Sequence, residues 1–236
     1  MKKVLSTKKL DADTIAYARS LNMEIQCVDF IEVSLADFKI PLADTFDSIA
    51  FTSANAVKYL FADAETQEFV SGKKVFALYG RTSEELAKHA IKPAGAAGNA
   101  TDLADVIVKD GTLNSVLHVC GDLRLDVLEK KLKEVGLKYS PLVVYKTVLL
   151  NNDKLNEKFD AVMFYSPSGV NSFFYANDVT KEAICCCIGE TTASRLKEKR
   201  SDANIILPKT TTSQAMIEEL TQYFNDNLKS SPLERI

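Results

Sequence analysis

The stretch Phe46–Phe61, FDSIAFTSANAVKYLF, recurs as Phe159–Phe174, FDAVMFYSPSGVNSFF, with six of sixteen positions identical. Chance would give roughly one at average composition. The offset of 113 residues is close to half of a 236-residue chain. A repeat at half-length means two copies of one module, not a solenoid of short units. Each copy reads as a buried strand, a polar turn and a helix: Thr52-Ser53-Ala54-Asn55 forms one turn, Tyr165-Ser166-Pro167-Ser168 the other. Two similar modules usually enclose a cleft, a preferred place for ligands.

Further matches extend the repeat. Leu21–Ile25 aligns with Val135–Tyr139, Tyr79–Thr82 with Ile188–Thr191, and Thr101–Ala104 with Ser213–Met216. The drifting offset reflects loop insertions between diverged copies. Short β-rich runs alternate with helical stretches along the chain, which predicts an α/β fold with parallel sheets. The run Leu125, Leu128, Leu132, Val135 has helical spacing and predicts one buried face over Leu125–Val135, ended by Gly136 as a cap.

Two assemblies of the copies are open. A tandem chain would divide at residue 113. A swapped chain would begin one domain, build the second, and return. The segments Cys27–Val33 and Val143–Leu149 are β-rich and longer than a compact strand needs. They favour the swap, because they could pair as a two-stranded link.

Composition narrows the function. A net charge of −3 lacks the basic stripe of a nucleic-acid binder. No apolar run approaches the 18 or more residues of a membrane span. The apolar stretch behind Lys2-Lys3 is too short for a signal peptide, so a cytoplasmic protein is expected. Of five cysteines, Cys185, Cys186 and Cys187 are consecutive in an apolar run. Neighbours on a strand face opposite sides and cannot jointly grip one metal, so buried thiols are expected and no metal site. No GxGxxG, GxxxxGK[ST] or HExxH occurs, and His118 has no sequence-local triad partner.

What remains is the turns. In open α/β sheets ligands bind at the carboxyl ends of strands, where helix N-termini present free N–H groups. Thr52-Ser53, Gly80-Arg81-Thr82-Ser83, Ser166-Pro167, Gly189-Glu190-Thr191-Thr192 and Thr211-Thr212-Ser213 are all hydroxyl-rich. Each could simply cap a helix. Recurrence on both copies suits a ligand carrying several carboxylates or phosphates. Gly121-Asp122-Leu123-Arg124 could present Arg124 to such a ligand or to solvent. Tyr145 is either a proton donor or an ordinary strand aromatic.

Six ordered pieces resemble the uroporphyrinogen-III synthase family: Phe51–Val57, Gly98–Leu103, Cys120–Leu123, Val144–Thr147, Phe164–Val170 and Ile188–Ala193. The resemblance covers most of the chain. It implies two flavodoxin-like domains with parallel sheets joined by a two-stranded β-ladder, one of residues 1–34 with 149–236 and one of 37–145. It implies that hydroxymethylbilane, a linear tetrapyrrole, is dehydrated and cyclised with inversion of its last ring, with no cofactor. By position, Tyr145 matches the family's proton donor. Substrate contacts would come from Thr52, Ser53, Asn55, Gly80, Thr82, Gly121, Arg124, Ser166, Ser168, Gly169, Gly189, Thr191 and Thr192. The chain departs at Asn55, where many relatives carry arginine, and at Leu125-Asp126, where a basic-acidic pair is common. A monomer is expected. The alternative is a non-catalytic two-lobed module that binds a small polyanion.

Overall fold

A computed structural model describes residues 1–42, 45–62, 66–150 and 152–230, with side chains through residue 226. In chain order the elements are β1 (Lys2–Ser6), α1 (Ala12–Ser20), β2 (Met23–Cys27), β3 (Ile31–Leu35), β4 (Ser48–Phe51), α2 (Ala54–Leu60), α3 (Thr66–Val70), β5 (Lys74–Leu78), α4 (Arg81–Ala87) and β6 (Gly95–Ala97). There follow α5 (Ala100–Asp110), β7 (Ser115–Gly121), α6 (Val127–Glu134), β8 (Lys138–Leu149), β9 (Ala161–Phe164), α7 (Pro167–Ala176), β10 (Ile184–Cys187), α8 (Glu190–Lys199), β11 (Asn204–Ile206) and α9 (Ser213–Ser230). The chain divides into two compact units. Unit 1 is Met1–Glu32 with Val148–Ile236, and unit 2 is Val33–Thr147.

Unit 1 holds a five-stranded sheet in the order β11-β10-β9-β1-β2, every pair parallel. The alternation of side chains along each strand sorts its core into two layers. Leu5, Val162, Phe164, Cys185 and Cys187 meet Val170, Phe173 and Leu196 of α7 and α8. Val4, Met163, Ile184 and Cys186 meet Ala18 of α1 and Met216, Ile217 and Leu220 of α9. The three cysteines therefore point alternately to opposite faces, all fully buried. Burial pushes their thiols well above the usual range, Cys185 to about 12. They pack as small hydrophobes.

Unit 2 holds the order β3-β8-β7-β4-β5-β6. The pairs from β8 to β6 are parallel. Ile49, Phe51, Val75, Leu117 and Val119 pack on α2 and α4 through Val57, Leu60 and Leu86. Ala50, Phe76 and Val116 pack on α5 and α6 through Leu103, Ile107, Leu128 and Leu132. Each Val, Leu, Ile or Phe among them contributes about 1.5–3 kcal/mol by burial. In both units the order in which strands are added reverses beside the repeat strand, between β9 and β1 in unit 1 and between β4 and β7 in unit 2. That reversal is where an open α/β sheet leaves a crevice at the strand ends.

Two expectations are corrected. Helix α6 is shorter than the leucine spacing suggests: Leu128 and Leu132 are buried, but Leu125 and Val135 lie outside the helix, 56% and 54% exposed. The helix still ends at glycine, with Gly136 at φ +79° and its N–H donating to the Lys133 carbonyl. The second correction concerns β2, which stops at Cys27. The β-character of the following segment belongs to a separate strand, β3, that lies beside β8.

Candidate functional site

In unit 2 the reversal point is built from the ends of β4 and β7. Strand β7 ends in Gly121. Its pairing with β8 slips at that end: Cys120 faces Val143, but Gly121 faces Tyr145. Such a bulge re-aims the next side chain. Here it lays the Tyr145 ring on Gly121. A Cβ on Gly121 would stand 2.4 Å from Cε2 and Cζ of that ring, so only glycine fits. Tyr59 stacks on the ring with centroids 5.8 Å apart, and its own hydroxyl donates to the Val33 carbonyl at 2.8 Å.

The Tyr145 hydroxyl donates to Ser53 Oγ at 3.2 Å. Ser53 is the N-cap of α2, and the same Oγ accepts the Asn55 N–H at 3.2 Å. Burial raises the Tyr145 pKa, and the hydrogen bond to Ser53 works in the opposite sense. The phenol is therefore protonated at neutral pH and stands as a donor. Its strand is tied to the β7 turn by the Asp122 N–H on the Tyr145 carbonyl (3.1 Å) and the Thr147 N–H on Asp122 Oδ1 (2.9 Å).

Beside Ser53, Thr52 Oγ1 lies 2.8 Å from His118 Nε2, and His118 Nδ1 lies 2.8 Å from the Tyr139 hydroxyl. Nearby, Arg124 pairs with Glu129 at 3.3 Å. Arg124 is thus turned onto its own unit, and its buried Nε has no hydrogen-bond partner. Burial, and then the charge of Arg124, push the His118 imidazole down to about 4.

Unit 1 offers a different set. Ser166 caps α7 by accepting the Gly169 N–H at 3.0 Å, with Pro167 in the first turn. Thr7 at the end of β1 lies against the same turn: a Cβ on Gly169 would be 3.3 Å from Ser166 Oγ and 3.8 Å from Thr7 Oγ1. The Lys8 ammonium sits 4.3 Å from the centre of the Tyr165 ring. Helix α8 starts at Gly189 in extended backbone with no side-chain cap. Helix α4 of unit 2 also starts at a glycine without a side-chain cap, Gly80, there with φ +69°. Both helices keep first-turn N–H groups and a positive dipole end without a capping oxygen.

The structure thus brings Tyr145, Ser53 and Gly121 into contact, and Ser166 and Gly169 into another. Asn55 and Ser168 are half-buried in the first turns of α2 and α7. The threonines expected to face a ligand differ from one another. Thr191 is exposed, whereas Thr82 and Thr192 are turned inward, 5% and 3% exposed. His118, Tyr139, Tyr59 and Thr7 were not foreseen. A histidine within the otherwise apolar interior of SVLHVCG was the signal available for the first.

Residues 16–222 match the family described as "Uroporphyrinogen-III synthase HemD". The chain belongs to this family. It is 27% identical over 143 residues to the uroporphyrinogen-III synthase of Saccharomyces cerevisiae (strain ATCC 204508 / S288c), a match covering 50% of this chain and about half, 52%, of that relative. Its fold is that of a mutant uroporphyrinogen III synthase from the extremely thermophilic bacterium Thermus thermophilus, with TM-score 0.69, 17% identity, and 98% of this chain and 100% of the other covered. A uroporphyrinogen-III synthetase from Helicobacter pylori 26695 gives TM-score 0.65 at 19% identity, covering 94% and 100%. Both family members share the α/β fold with two parallel sheets described above. Among the described residues no helix is long and apolar enough to cross a membrane.

Proposed function

We propose that this chain is a uroporphyrinogen-III synthase that converts hydroxymethylbilane to uroporphyrinogen III. The observation that carries the reading is the Tyr145 phenol, pressed on Gly121 and hydrogen-bonded to Ser53 at a sheet's reversal point, in a chain of this family. The substrate supplies most of its own reactivity. A pyrrole nitrogen pushes its electron pair toward the terminal carbon, the C–O bond breaks, and the hydroxyl leaves as water after taking a proton. Tyr145 is the proposed donor of that proton, worth about 10²–10⁴-fold. The resulting azafulvene is attacked by the substituted carbon of the last ring, which becomes a spiro centre. The original bond from that carbon to its methylene bridge then breaks, leaving a second azafulvene on the neighbouring ring, and the unsubstituted α-carbon of the inverted last ring bonds to it. The proton lost from that carbon restores the balance, so the net change is loss of one water.

Unguided closure would give the unrearranged isomer I. The protein's task is to hold the bilane so that the substituted carbon is the nearer nucleophile, which is catalysis by orientation. The eight carboxylates of the substrate would be held by Thr52, Ser53, Asn55, Gly80, Thr82 and Gly121 in unit 2, and by Ser166, Ser168, Gly169, Gly189, Thr191 and Thr192 in unit 1. Where a side chain is buried, as in Thr82 and Thr192, the backbone N–H is the proposed donor. The site needs no metal or organic cofactor in this reading. The working form is a cytoplasmic monomer, which sedimentation at 26.0 kDa would check.

The test generates hydroxymethylbilane in situ, adds the purified chain, oxidises the products and separates porphyrin isomers by chromatography. Mostly isomer III is expected. Isomer I alone would overturn the synthase and leave only a binding module.

A further inference from the structure

Helix α2 meets the Tyr145 side chain at two points. Its N-cap, Ser53, accepts the Tyr145 hydroxyl at 3.2 Å. Near its other end Tyr59 stacks on the ring, with centroids 5.8 Å apart and planes 26° from parallel. Tyr59 is itself fixed. Its hydroxyl donates to the carbonyl of Val33, the first residue of unit 2, at 2.8 Å. Just past β3, the Ala36 N–H donates to the Val144 carbonyl at 3.0 Å, next to Tyr145 in the chain. A closed circuit therefore runs from Tyr145 through α2 and β3 back to β8.

The repeat separates what the Tyr59 hydroxyl does from what the ring does. At the offset of the repeat, Tyr59 aligns with Ser172 of α7. The strands before these helices correspond as well. Ala50 of β4 faces His118 of β7, and its counterpart Met163 of β9 faces Ser6 of β1, which sets Ser6 at the place of His118. Ser172 donates to the Leu150 carbonyl at 2.6 Å, close behind Val148, where the second segment of unit 1 begins. Both copies thus hold the incoming chain by a hydroxyl at one helix position, and serine suffices in unit 1. In unit 2 the same position carries an aromatic ring, and that ring lies on Tyr145. Gly121 makes room for the Tyr145 ring but has no side chain to hold it, so the stack supplies packing that the glycine cannot.

We infer that the Tyr59 ring is a positioning residue for Tyr145, holding the phenol on Ser53 beside the end of β4. Tyr59 acts through Tyr145 and does not touch the substrate. The role of Tyr145 as the acid rests on the synthase reading; the packing of the two rings does not. A catalytic group misplaced by about 1 Å can cost about 10²-fold in rate, so a restraint of this kind is visible in turnover.

The test has two arms. The first reads ring contacts in the wild-type chain by NMR with ring-labelled tyrosine, the two rings being assigned from Y59F and Y145F. Cross-peaks between the Tyr59 and Tyr145 rings are expected; their absence would overturn the inference. The second compares Y59F, Y59L, Y145F and the double variant Y59L/Y145F in bilane turnover. Y59L should lower kcat for isomer III about 10-fold, with KM little changed. Y59F keeps the stack and should stay within about 3-fold of the wild type. The double variant should be no slower than Y145F, because Tyr59 acts only through the Tyr145 hydroxyl. Losses that add, a rise in KM alone, or a Y59F as slow as Y59L would overturn the inference. The ring contacts are read on the wild-type chain without turnover. They decide the matter if Y59L does not fold, and a chain that made only isomer I would sink the synthase reading while leaving them readable.

Discussion

The two units carry one module and elaborate it differently. Strands β4 and β9 match in sequence and occupy the same place, each beside the reversal of its sheet. Both units cap the first following helix with serine, Ser53 or Ser166, and open a later one on a glycine without a side-chain cap, Gly80 or Gly189. Both then hold a further helix by a side-chain oxygen: Asn99 Oδ1 accepts the Asp102 N–H, and Thr212 Oγ1 the Ala215 N–H. The difference lies in the neighbouring strands. In unit 1, β1 and β2 are five residues each. Their counterparts β7 and β8 have seven and twelve, with a bulge near the end. That extra length carries Gly121 and Tyr145. A shared scaffold presents candidate carboxylate-binding turns twice, and a strand extension in unit 2 adds the proposed acid.

The comparison breaks most visibly at Tyr145. Y145F removes the hydroxyl while keeping the ring on Gly121, and isomer III formation in a stopped assay should fall about 10²–10⁴-fold. Next come the glycines. G121A forces a methyl into the Tyr145 ring, which should cost about 1–3 kcal/mol in urea unfolding and displace the phenol. G189A in unit 1 meets nothing within 4 Å, and its extended backbone suits any residue, so unfolding should change by less than about 0.5 kcal/mol.

A third prediction concerns pH. The folded-state pKa of His118 is depressed to about 4 from an ordinary 6.5. The unfolded chain therefore binds the extra proton first, and stability contributed by neutral His118 is full above about 6.5 and lost as pH falls toward 4. The loss is on the order of 3 kcal/mol. Denaturation midpoints between pH 7 and 4.5 should fall less steeply in H118Q. Serine holds the corresponding place in unit 1, so that unit gains no such slope from it. The caps come last. S166A should cost about 1 kcal/mol. S53A should cost a similar amount and also slow isomer III formation, because Ser53 accepts the Tyr145 hydroxyl as well as the Asn55 N–H.

Much of this was legible in the sequence because both copies say the same thing. Buried strands such as SIAF and AVMF, followed by Ser at the cap, announce their elements locally. Strand β6 was not legible. It is Gly95-Ala96-Ala97, small because α5 packs so close that a Cβ on Gly95 would lie 2.5 Å from Val106 Cγ1. Close approach removes the bulky residues by which strands are recognised. The short helix α3 carried no periodic signal over five residues. At the site, the hydroxyl turns and Tyr145 could be named from the residues and their resemblance to the family. The direction of Arg124 could not, since its partner Glu129 is placed by the packing of α6. The unlike burial of Thr191 and Thr192 depends on helix phase, which composition does not reveal.

The most direct measurement of the central claim is single-turnover conversion of hydroxymethylbilane by the wild-type chain and Y145F side by side, with the isomer ratio and the rate read from the same samples. The account predicts mostly isomer III from both at saturating protein, because orientation is kept, with the rate in Y145F lower by about 10²-fold or more. Equal rates would contradict it, since the acid would then lie elsewhere and the bulge that sets Tyr145 on Gly121 would have no catalytic part.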